Sequence, residues 1–311
     1  MKLHHVLALL AAVLVGTPRP ATAQIAAAAD PHAGHAAESS PAQSATQATG
    51  QGGAALGTAG LPAGEEDAKA RLNASPRHGE YTDVSVPGGG TLRAWTSYPE
   101  RKDKAPVVIV IHEIYGLTDW IRGVADQLAA DGYIAIAPDL LTGKGPNGGG
   151  TEAYASRDDV VAGVRGLTPD EVVTKLNAVH AHGAKLPAAN GRTATVGYCW
   201  GGSTSFVYAT KQPDLDAAVV YYGGSPSDLS TLGSTRAAVL GLYGEDDARV
   251  NATVPPAQAA MKTLGKVFDV HTYAGAGHGF LRAQSGREGA NLKATQQAWP
   301  TMLAFLKQHL K

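Results

Sequence analysis

The sequence predicts an α/β fold in which a mostly parallel, doubly wound sheet is covered by helices on both faces. Five short runs of apolar, largely β-branched residues are bounded by turn residues, and helical patterns lie between them. Continuous apolar runs of this length are typical of parallel strands that are buried on both faces. Strands that alternate with helices are typical of a doubly wound sheet. The predicted strands are 107–111, 134–137, 194–197, 217–222 and 239–243.

The helical patterns carry start and stop signals. Residues 119–131 form a helical stretch that ends before Gly132. Residues 168–186 open with Thr168, Pro169 and two acidic residues, which is an N-cap sequence. The length that follows about residue 80 suits one α/β domain. Further helices are expected over 203–211, 256–264 and 291–310, and a sixth strand over 268–273.

The first 23 residues have the pattern of a secretory signal peptide. Lys2 precedes an apolar run from Val6 to Val15, and Ala21-Thr22-Ala23 is a small-residue sequence that a signal peptidase accepts. The apolar run is too short to span a bilayer as a helix, so no stable membrane anchor is expected after cleavage. The sequence therefore predicts an exported protein, periplasmic or secreted.

Two regions follow the predicted signal peptide. Residues 24–70 are rich in Ala, Gly and Ser and lack hydrophobic periodicity, so we expect a disordered tether there. Residues 71–311 are expected to form the α/β domain.

Charge and glycine spacing exclude several classes of ligand. The 26 Lys and Arg residues nearly balance the 27 Asp and Glu residues, which argues against a nucleic-acid partner. The glycine-rich stretch 141–151 lacks the Gly-Lys-Ser/Thr ending of a phosphate loop and the spaced glycines of a dinucleotide site. We therefore expect a small-molecule partner, no metal or organic cofactor, and a monomer or weak dimer.

Cys199 stands at a predicted turn between a strand and a helix. It is the one cysteine of the chain and cannot form an internal disulfide, so it is either a buried structural residue or a reactive thiol. Gly197 and Gly201 supply the small residues that a nucleophile elbow requires two positions before and after its centre. A helix that begins just after Cys199 would direct its positive end at the sulfur. These features favour a nucleophilic thiol on an α/β-hydrolase fold.

A base and an acid are expected on two loops that follow later strands. A nucleophilic thiol requires a base, and the base requires an acceptor that orients it. In this fold the acid comes next along the chain and the histidine last. His278 lies among glycines after the last predicted strand and is the candidate base. Asp246 and Asp247 both follow the strand 239–243, so the residues alone leave the choice of acid open.

The loop after the strand 107–111 is the expected place of the oxyanion hole. Hydrolases of this fold place a second backbone donor there, so the N–H groups of Ile114 and Trp200 would bracket the developing negative charge. Glu113 lies in the same loop. From its position alone, Glu113 is equally well explained as a solvated residue at the sheet edge.

Four short motifs occur in order along the chain. They are His-Glu-Ile-Tyr-Gly-Leu at 112–117, Gly-Tyr-Cys-Trp-Gly-Gly at 197–202, Gly-Glu-Asp-Asp-Ala-Arg-Val at 244–250 and Gly-Ala-Gly-His-Gly-Phe at 275–280. Together they resemble the dienelactone hydrolase (carboxymethylenebutenolidase) family, from about residue 80 to the end of the chain. The resemblance implies the α/β-hydrolase fold and hydrolysis of a lactone or carboxylic ester.

The resemblance also implies a role for each residue of the candidate catalytic group. Cys199 would be the nucleophile, Asp247 the acid and His278 the base. Glu113 would hydrogen-bond the resting thiol and swing away when substrate enters.

A site for a substrate carboxylate is implied as well. Arg282 stands where the family has an arginine that pairs with this group, and Tyr115 is expected to bind substrate beside it. The second arginine of the family corresponds to Arg157 or Arg165, and the sequence leaves that choice open.

The candidate residues predict a ping-pong hydrolase. A lactone or ester, dienelactone-like, would acylate Cys199, and water activated through His278 would release the acid. A broad-specificity carboxylesterase or thioesterase on the same site is the nearest alternative. A thiol redox protein, which would use Cys199 independently of Asp247, is an alternative of a different class.

Overall fold

The computed structural model describes residues 58–311. The predicted signal peptide, residues 1–23, and the predicted tether as far as residue 57 lie outside the described residues. The described chain builds one eight-stranded sheet. Its strands are β1 (Gly79–Ser85), β2 (Thr91–Ser97), β3 (Ala105–Ile111), β4 (Ile134–Pro138), β5 (Ala189–Tyr198), β6 (Ala217–Tyr221), β7 (Ala238–Asp246) and β8 (Phe268–Gly277).

The sheet is parallel except at one edge. Its strand order is β1-β2-β4-β3-β5-β6-β7-β8. The pairs β1–β2 and β2–β4 are antiparallel, and each pair from β4 across to β8 is parallel. Because the carboxyl ends of parallel strands meet at one edge, the loops after β3, β5, β6, β7 and β8 come together there.

Eight α-helices cover the sheet in the described part of the chain. Several begin with side-chain caps: the side chain of Thr118 accepts a hydrogen bond from Ile121 N, and that of Thr168, the cap predicted from the sequence, accepts one from Glu171 N. The helices are α1 (Glu65–Asn73), α2 (Asp119–Ala130), α3 (Arg157–Arg165), α4 (Pro169–Ala184), α5 (Trp200–Ala209), α6 (Ala248–Asn251), α7 (Val254–Thr263) and α8 (Ala290–His309).

Two hydrophobic cores lie on opposite faces of the sheet. Helices α2 and α8 bury Trp120 and Trp299 against one face. Helices α4, α5 and α7 bury Leu176, Phe206 and Met261 against the other. The predicted mostly parallel sheet with helices on both faces is therefore confirmed. Among residues 58–311, none of the helices combines the length and apolar character needed to cross a bilayer.

The predicted tether boundary at residue 70 is wrong. Residues 65–70 belong to α1, which packs on α2 through the buried Ala68. The segment before α1 is also fixed, because Leu61 is buried and Trp120 Nε1 donates a hydrogen bond to Ala63 O at 3.1 Å. Residues 61–70 thus belong to the folded domain despite their low apolar content, because Leu61 is buried and backbone hydrogen bonds hold the segment.

Candidate active site

Cys199 occupies a strained turn between β5 and α5. Its backbone has φ 55° and ψ −118°, a conformation that non-glycine residues rarely adopt. A Cβ on Gly197 would lie 1.9 Å from the carbonyl oxygen of Gly201, and one on Gly201 would lie 2.3 Å from that of His112. The two glycines are therefore required by close backbone contacts, as a nucleophile elbow demands.

The thiol is held at the carboxyl edge of the sheet and is largely shielded from solvent. Cys199 is 4% exposed, and its N–H donates to Tyr221 O at 3.0 Å, which fixes the turn against β6. Helix α5 begins at the next residue, so its positive end lies beside the sulfur.

The sulfur, an imidazole and a carboxylate form a hydrogen-bonded chain. His278 Nε2 lies 3.1 Å from Cys199 Sγ, and His278 Nδ1 lies 2.6 Å from Asp247 Oδ2. The loop that carries His278 turns sharply, with positive φ at Gly275 and Gly279. The three side chains come from the loops after β5, β7 and β8, and their geometry suits proton transfer from the thiol to the ring.

Asp247, not Asp246, contacts the histidine. Asp246 points to the surface, where it forms an ion pair with Arg287. The loop that presents Asp247 is anchored by Asn251, whose side-chain amide donates to Gly244 O at 2.8 Å and to Glu245 O at 3.1 Å. Of the two aspartates, the one that reaches His278 is thus set by which side of the loop after β7 faces the sheet edge.

The hydrogen bonds of His278 favour its protonated form. Burial lowers the pKa of the imidazole, but the hydrogen bonds to Asp247 and Cys199 and the negative charge on both groups outweigh burial and raise the pKa to about 10. The hydrogen bonds and charges around the ring therefore hold the imidazole in its protonated form at neutral pH.

Ile114 lies in the loop after β3, and Trp200 follows Cys199 directly at the start of α5. Strands β3 and β5 are neighbours, with Ile111 paired to Gly197, so the loops that follow them lie at the same edge. His112 stacks on Trp200 with ring centroids 5.6 Å apart, which ties the two loops together. Ile114 is buried in the loop after β3. The two loops that carry the predicted oxyanion donors therefore lie at the same edge of the sheet.

Glu113 is a buried carboxylate that faces an arginine. It is 3% exposed, which rules out a solvated residue at the sheet edge, and its Oε2 lies 2.8 Å from Arg282 Nε. Burial raises the pKa of Glu113, and the charge of Arg282 opposes that rise. In this structure the thiol is hydrogen-bonded to His278, and Glu113 pairs with Arg282 where the resemblance implies a hydrogen bond to the thiol.

Two arginines flank Tyr115 beside this site. The Arg157 guanidinium carbon lies 3.6 Å from the centre of the Tyr115 ring, and that of Arg282 lies 5.3 Å from the same ring. Arg165 stands at the opposite end of α3, more than two turns from Arg157. The structure therefore brings Arg157, and not Arg165, to Tyr115 and Arg282.

Sequence reasoning missed two residues at the site. Tyr222 has φ 40°, and its ring centroid lies 5.3 Å from that of His278. Tyr222 directly follows β6, and a residue at the carboxyl end of a central strand is a candidate site residue from its position in the sequence alone. Glu65 pairs with both Arg157 and Arg282. No local signal pointed to Glu65, because it precedes its arginine partners by 92 and 217 residues.

The donor set of the site is that of acid–base and nucleophilic chemistry. In the span 58–311, no group of three or more His, Cys, Asp or Glu side chains is arranged to hold a metal ion. A buried thiol at a strained turn after a strand, with an imidazole and a carboxylate behind it, has the geometry of the nucleophile elbow of α/β-hydrolases.

Comparison with known proteins identifies the family. Residues 92–310 match the model of the dienelactone hydrolase family, and the chain belongs to that family. It is 31% identical over 242 residues to a Salmonella typhimurium protein named "Putative carboxymethylenebutenolidase", which covers 73% of this chain and 86% of the relative. It is 28% identical over 208 residues to "Carboxymethylenebutenolidase 1" of Cupriavidus pinatubonensis, covering 65% of this chain and 86% of the relative.

A solved structure agrees with this assignment. The crystal structure named "Putative Dienelactone Hydrolase" from Klebsiella pneumoniae superposes with a TM-score of 0.64 at 27% identity, covering 74% of this chain and 99% of the other. The predicted α/β-hydrolase fold is confirmed, and the protein is a hydrolase of the family that acts on esters and lactones.

Proposed function

We propose that the protein cleaves a carboxylic ester or lactone through a covalent thioester on Cys199. The observation that carries the proposal is the chain of contacts from Asp247 Oδ2 to His278 Nδ1, at 2.6 Å, and from His278 Nε2 to Cys199 Sγ, at 3.1 Å. This order of carboxylate, imidazole and nucleophile is what proton transfer to and from a reacting thiol requires.

The acylation step uses the thiolate and the backbone around it. The sulfur attacks the carbonyl carbon, the C=O electrons move onto the oxygen, and the N–H groups of Trp200 and Ile114 stabilise the resulting oxyanion. Collapse of this intermediate breaks the bond to the ester or ring oxygen. His278, protonated in the resting pair, gives its proton to that leaving oxygen.

In the deacylation step His278 acts as a general base. His278 is now neutral and takes a proton from a water molecule, whose oxygen attacks the thioester carbon. The C–S bond breaks and the acid is released. Asp247 keeps Nδ1 of the ring as the donor in both steps, so that Nε2 always faces the reaction.

We propose that Glu113 and Arg282 set the charge at the mouth of the site, with Tyr115 as a flat surface against which substrate lies. Glu113 is buried and paired with Arg282 at 2.8 Å, so a change at either residue alters the field at the thiol. A dienelactone-like substrate and a simpler ester both satisfy this mechanism. The choice between them therefore depends on the charged groups around Arg282.

A panel of lactones and p-nitrophenyl esters tests the proposal, assayed on wild type, Cys199→Ala and Asp247→Asn. We expect turnover by wild type, loss of at least about 10³-fold in Cys199→Ala, and a sharp fall in Asp247→Asn. Retained hydrolysis in Cys199→Ala would remove the mechanism. Peroxide reduction that depends on Cys199 but not on Asp247, with no ester turnover, would favour the thiol redox alternative.

We also propose that the protein is exported, with cleavage after Ala23. Lys2, the apolar run 6–15 and the small residues 21–23 support this proposal. Expression of the full chain followed by N-terminal mass spectrometry tests it. A mature N-terminus at Gln24 in the periplasmic or culture fraction supports export, and an uncleaved chain confined to the cytoplasm contradicts it.

A further inference from the structure

The entrance of the site contains a carboxylate supplied by the chain itself. Glu65, in the first turn of α1, places Oε1 3.0 Å from an Arg157 guanidinium nitrogen and pairs through Oε2 with Arg282. Each oxygen therefore has its own guanidinium. Two arginines that each take one carboxylate oxygen form an arrangement that recognises a carboxylate ligand.

The position of Glu65 is fixed by the backbone around it. Glu65 N donates to Arg282 O at 2.9 Å, and Gln284 Nε2 donates to Pro62 O at 2.9 Å. The preceding Gly64 passes so close to Arg282 O that a Cβ there would lie 3.3 Å from it. Helix α1 is thus joined directly to the loop that carries Arg282, four residues after the candidate base.

The same arginines border the proposed substrate site. Arg157 and Arg282 both lie over the ring of Tyr115, and Arg282 also contacts the buried Glu113. With Glu65 in place, two guanidinium and two carboxylate groups balance in charge. Without it, the cluster would carry a net positive charge and two arginine donors with no carboxylate beside Tyr115.

We propose that Glu65 is a specificity-determining residue that fills a carboxylate-binding site, so that the enzyme prefers neutral esters or lactones and discriminates against anionic ones. This inference rests on the proposed ester hydrolysis. The carboxylate of an anionic substrate would have to displace Glu65 from both arginines while α1 stays packed on α2. A neutral substrate avoids that exchange and leaves all four charges paired.

The test compares two substrates that differ by one charge, the mono-p-nitrophenyl ester of succinic acid and the methyl ester of the same compound. The variant is Glu65→Gln, which keeps the size and one acceptor of the side chain. The control is Glu66→Gln, the next residue on α1, whose carboxylate accepts a hydrogen bond from Ser285 Oγ at 3.1 Å. Thermal unfolding of each variant checks that α1 remains packed, and Glu65→Ala provides a second substitution.

We expect Glu65→Gln to raise the ratio of kcat/KM for the anionic substrate over the neutral one by about tenfold or more, mainly through a lower KM. A factor of this size corresponds to one additional charge-assisted hydrogen bond between substrate and enzyme. Glu66→Gln should leave the ratio within about twofold of wild type. The added substitution Arg157→Gln should abolish the increase. An unchanged ratio in Glu65→Gln, or an equal loss on both substrates, would show that Glu65 only holds α1 in place.

A binding measurement separates this inference from the proposed reaction. Monomethyl succinate, a carboxylate that is not an activated ester, should raise the Tm of Glu65→Gln with increasing concentration and leave that of wild type nearly unchanged. If wild type hydrolyses neither ester, the proposed function fails, and this ligand still decides whether Glu65 fills a carboxylate site. Equal stabilisation of both proteins overturns the inference even when esters are turned over.

Discussion

Replacing Asp247 by Asn tests the role of the carboxylate behind the imidazole. The structure gives Asp247 a short contact to His278, 2.6 Å, and leaves its side chain only 7% exposed, so solvent cannot compensate for the lost charge. A hydrogen bond to a charged group contributes about 1.5–3 kcal/mol. Loss of that contribution in the transition state corresponds to about a 10- to 150-fold fall in kcat/KM. An amide also presents an N–H to Nδ1, which favours the wrong tautomer.

The matched control is Asp246→Asn. Asp246 is the adjacent acid, and its side chain is 60% exposed in a surface pair with Arg287, so its replacement should change kcat/KM by less than about threefold. The assay is kcat/KM for a neutral p-nitrophenyl ester from about pH 6 to 9, with circular dichroism to confirm folding. A folded Asp247→Asn variant with the activity of wild type, or an equal loss in Asp246→Asn, would refute the assignment.

Three further predictions concern the site and the turn that carries it. In urea titrations, Gly197→Ala should lower the free energy of unfolding by about 3 kcal/mol or more, because the new Cβ would overlap Gly201 O. The control Gly233→Ala has open space around the new Cβ and should change the free energy of unfolding by less than about 1 kcal/mol. Tyr222→Phe removes a buried hydroxyl that has no hydrogen-bond partner among the described residues and should stabilise the fold by about 1 kcal/mol; a loss of stability would show that the hydroxyl is paired. The raised pKa of His278 stabilises the folded state fully below pH 6.5, and this stabilisation is lost as pH rises towards about 10. The difference in Tm between wild type and His278→Gln should therefore fall more between pH 6.5 and 10 than below pH 6.5.

The features that sequence predicted well are local. The turn around Cys199 is defined by glycines two positions away on each side, and the structure shows that each is required by a backbone oxygen less than 2.5 Å from a Cβ that would replace its hydrogen. The apolar runs predicted β3 to β7 because buried parallel strands leave a direct pattern in the sequence. Signals of this kind do not depend on distant contacts.

The features that sequence missed depend on tertiary contacts or weaker patterns. Strands β1 and β2 are half-exposed at the antiparallel edge, so their burial alternates and their apolar signal is weak. The decision between Asp246 and Asp247 depends on the direction of one loop. Helix α1 has a low apolar content and is held by contacts to α2 and to the loop around Arg282, which no window of sequence contains.

Glu65 illustrates how such a contact bears on function. The four motifs predict the catalytic residues, but they carry no information on Glu65, which reaches Arg157 and Arg282 from helix α1. The family match covers residues 92–310, so Glu65 lies outside it. The proposed role of Glu65 therefore places a determinant of substrate preference before β1, outside the residues that match the family.

The mass of the covalent intermediate tests the thioester mechanism most directly. Wild type is mixed with a p-nitrophenyl ester, quenched in acid within the first turnovers and analysed by intact-mass and peptide mass spectrometry. Because the chain has one cysteine, a thioester can form at one residue only. The mechanism predicts a mass increase of one acyl group on the peptide that contains Cys199, absent from Cys199→Ala. Undiminished turnover by Cys199→Ala, or an acyl group on any other residue, would contradict it.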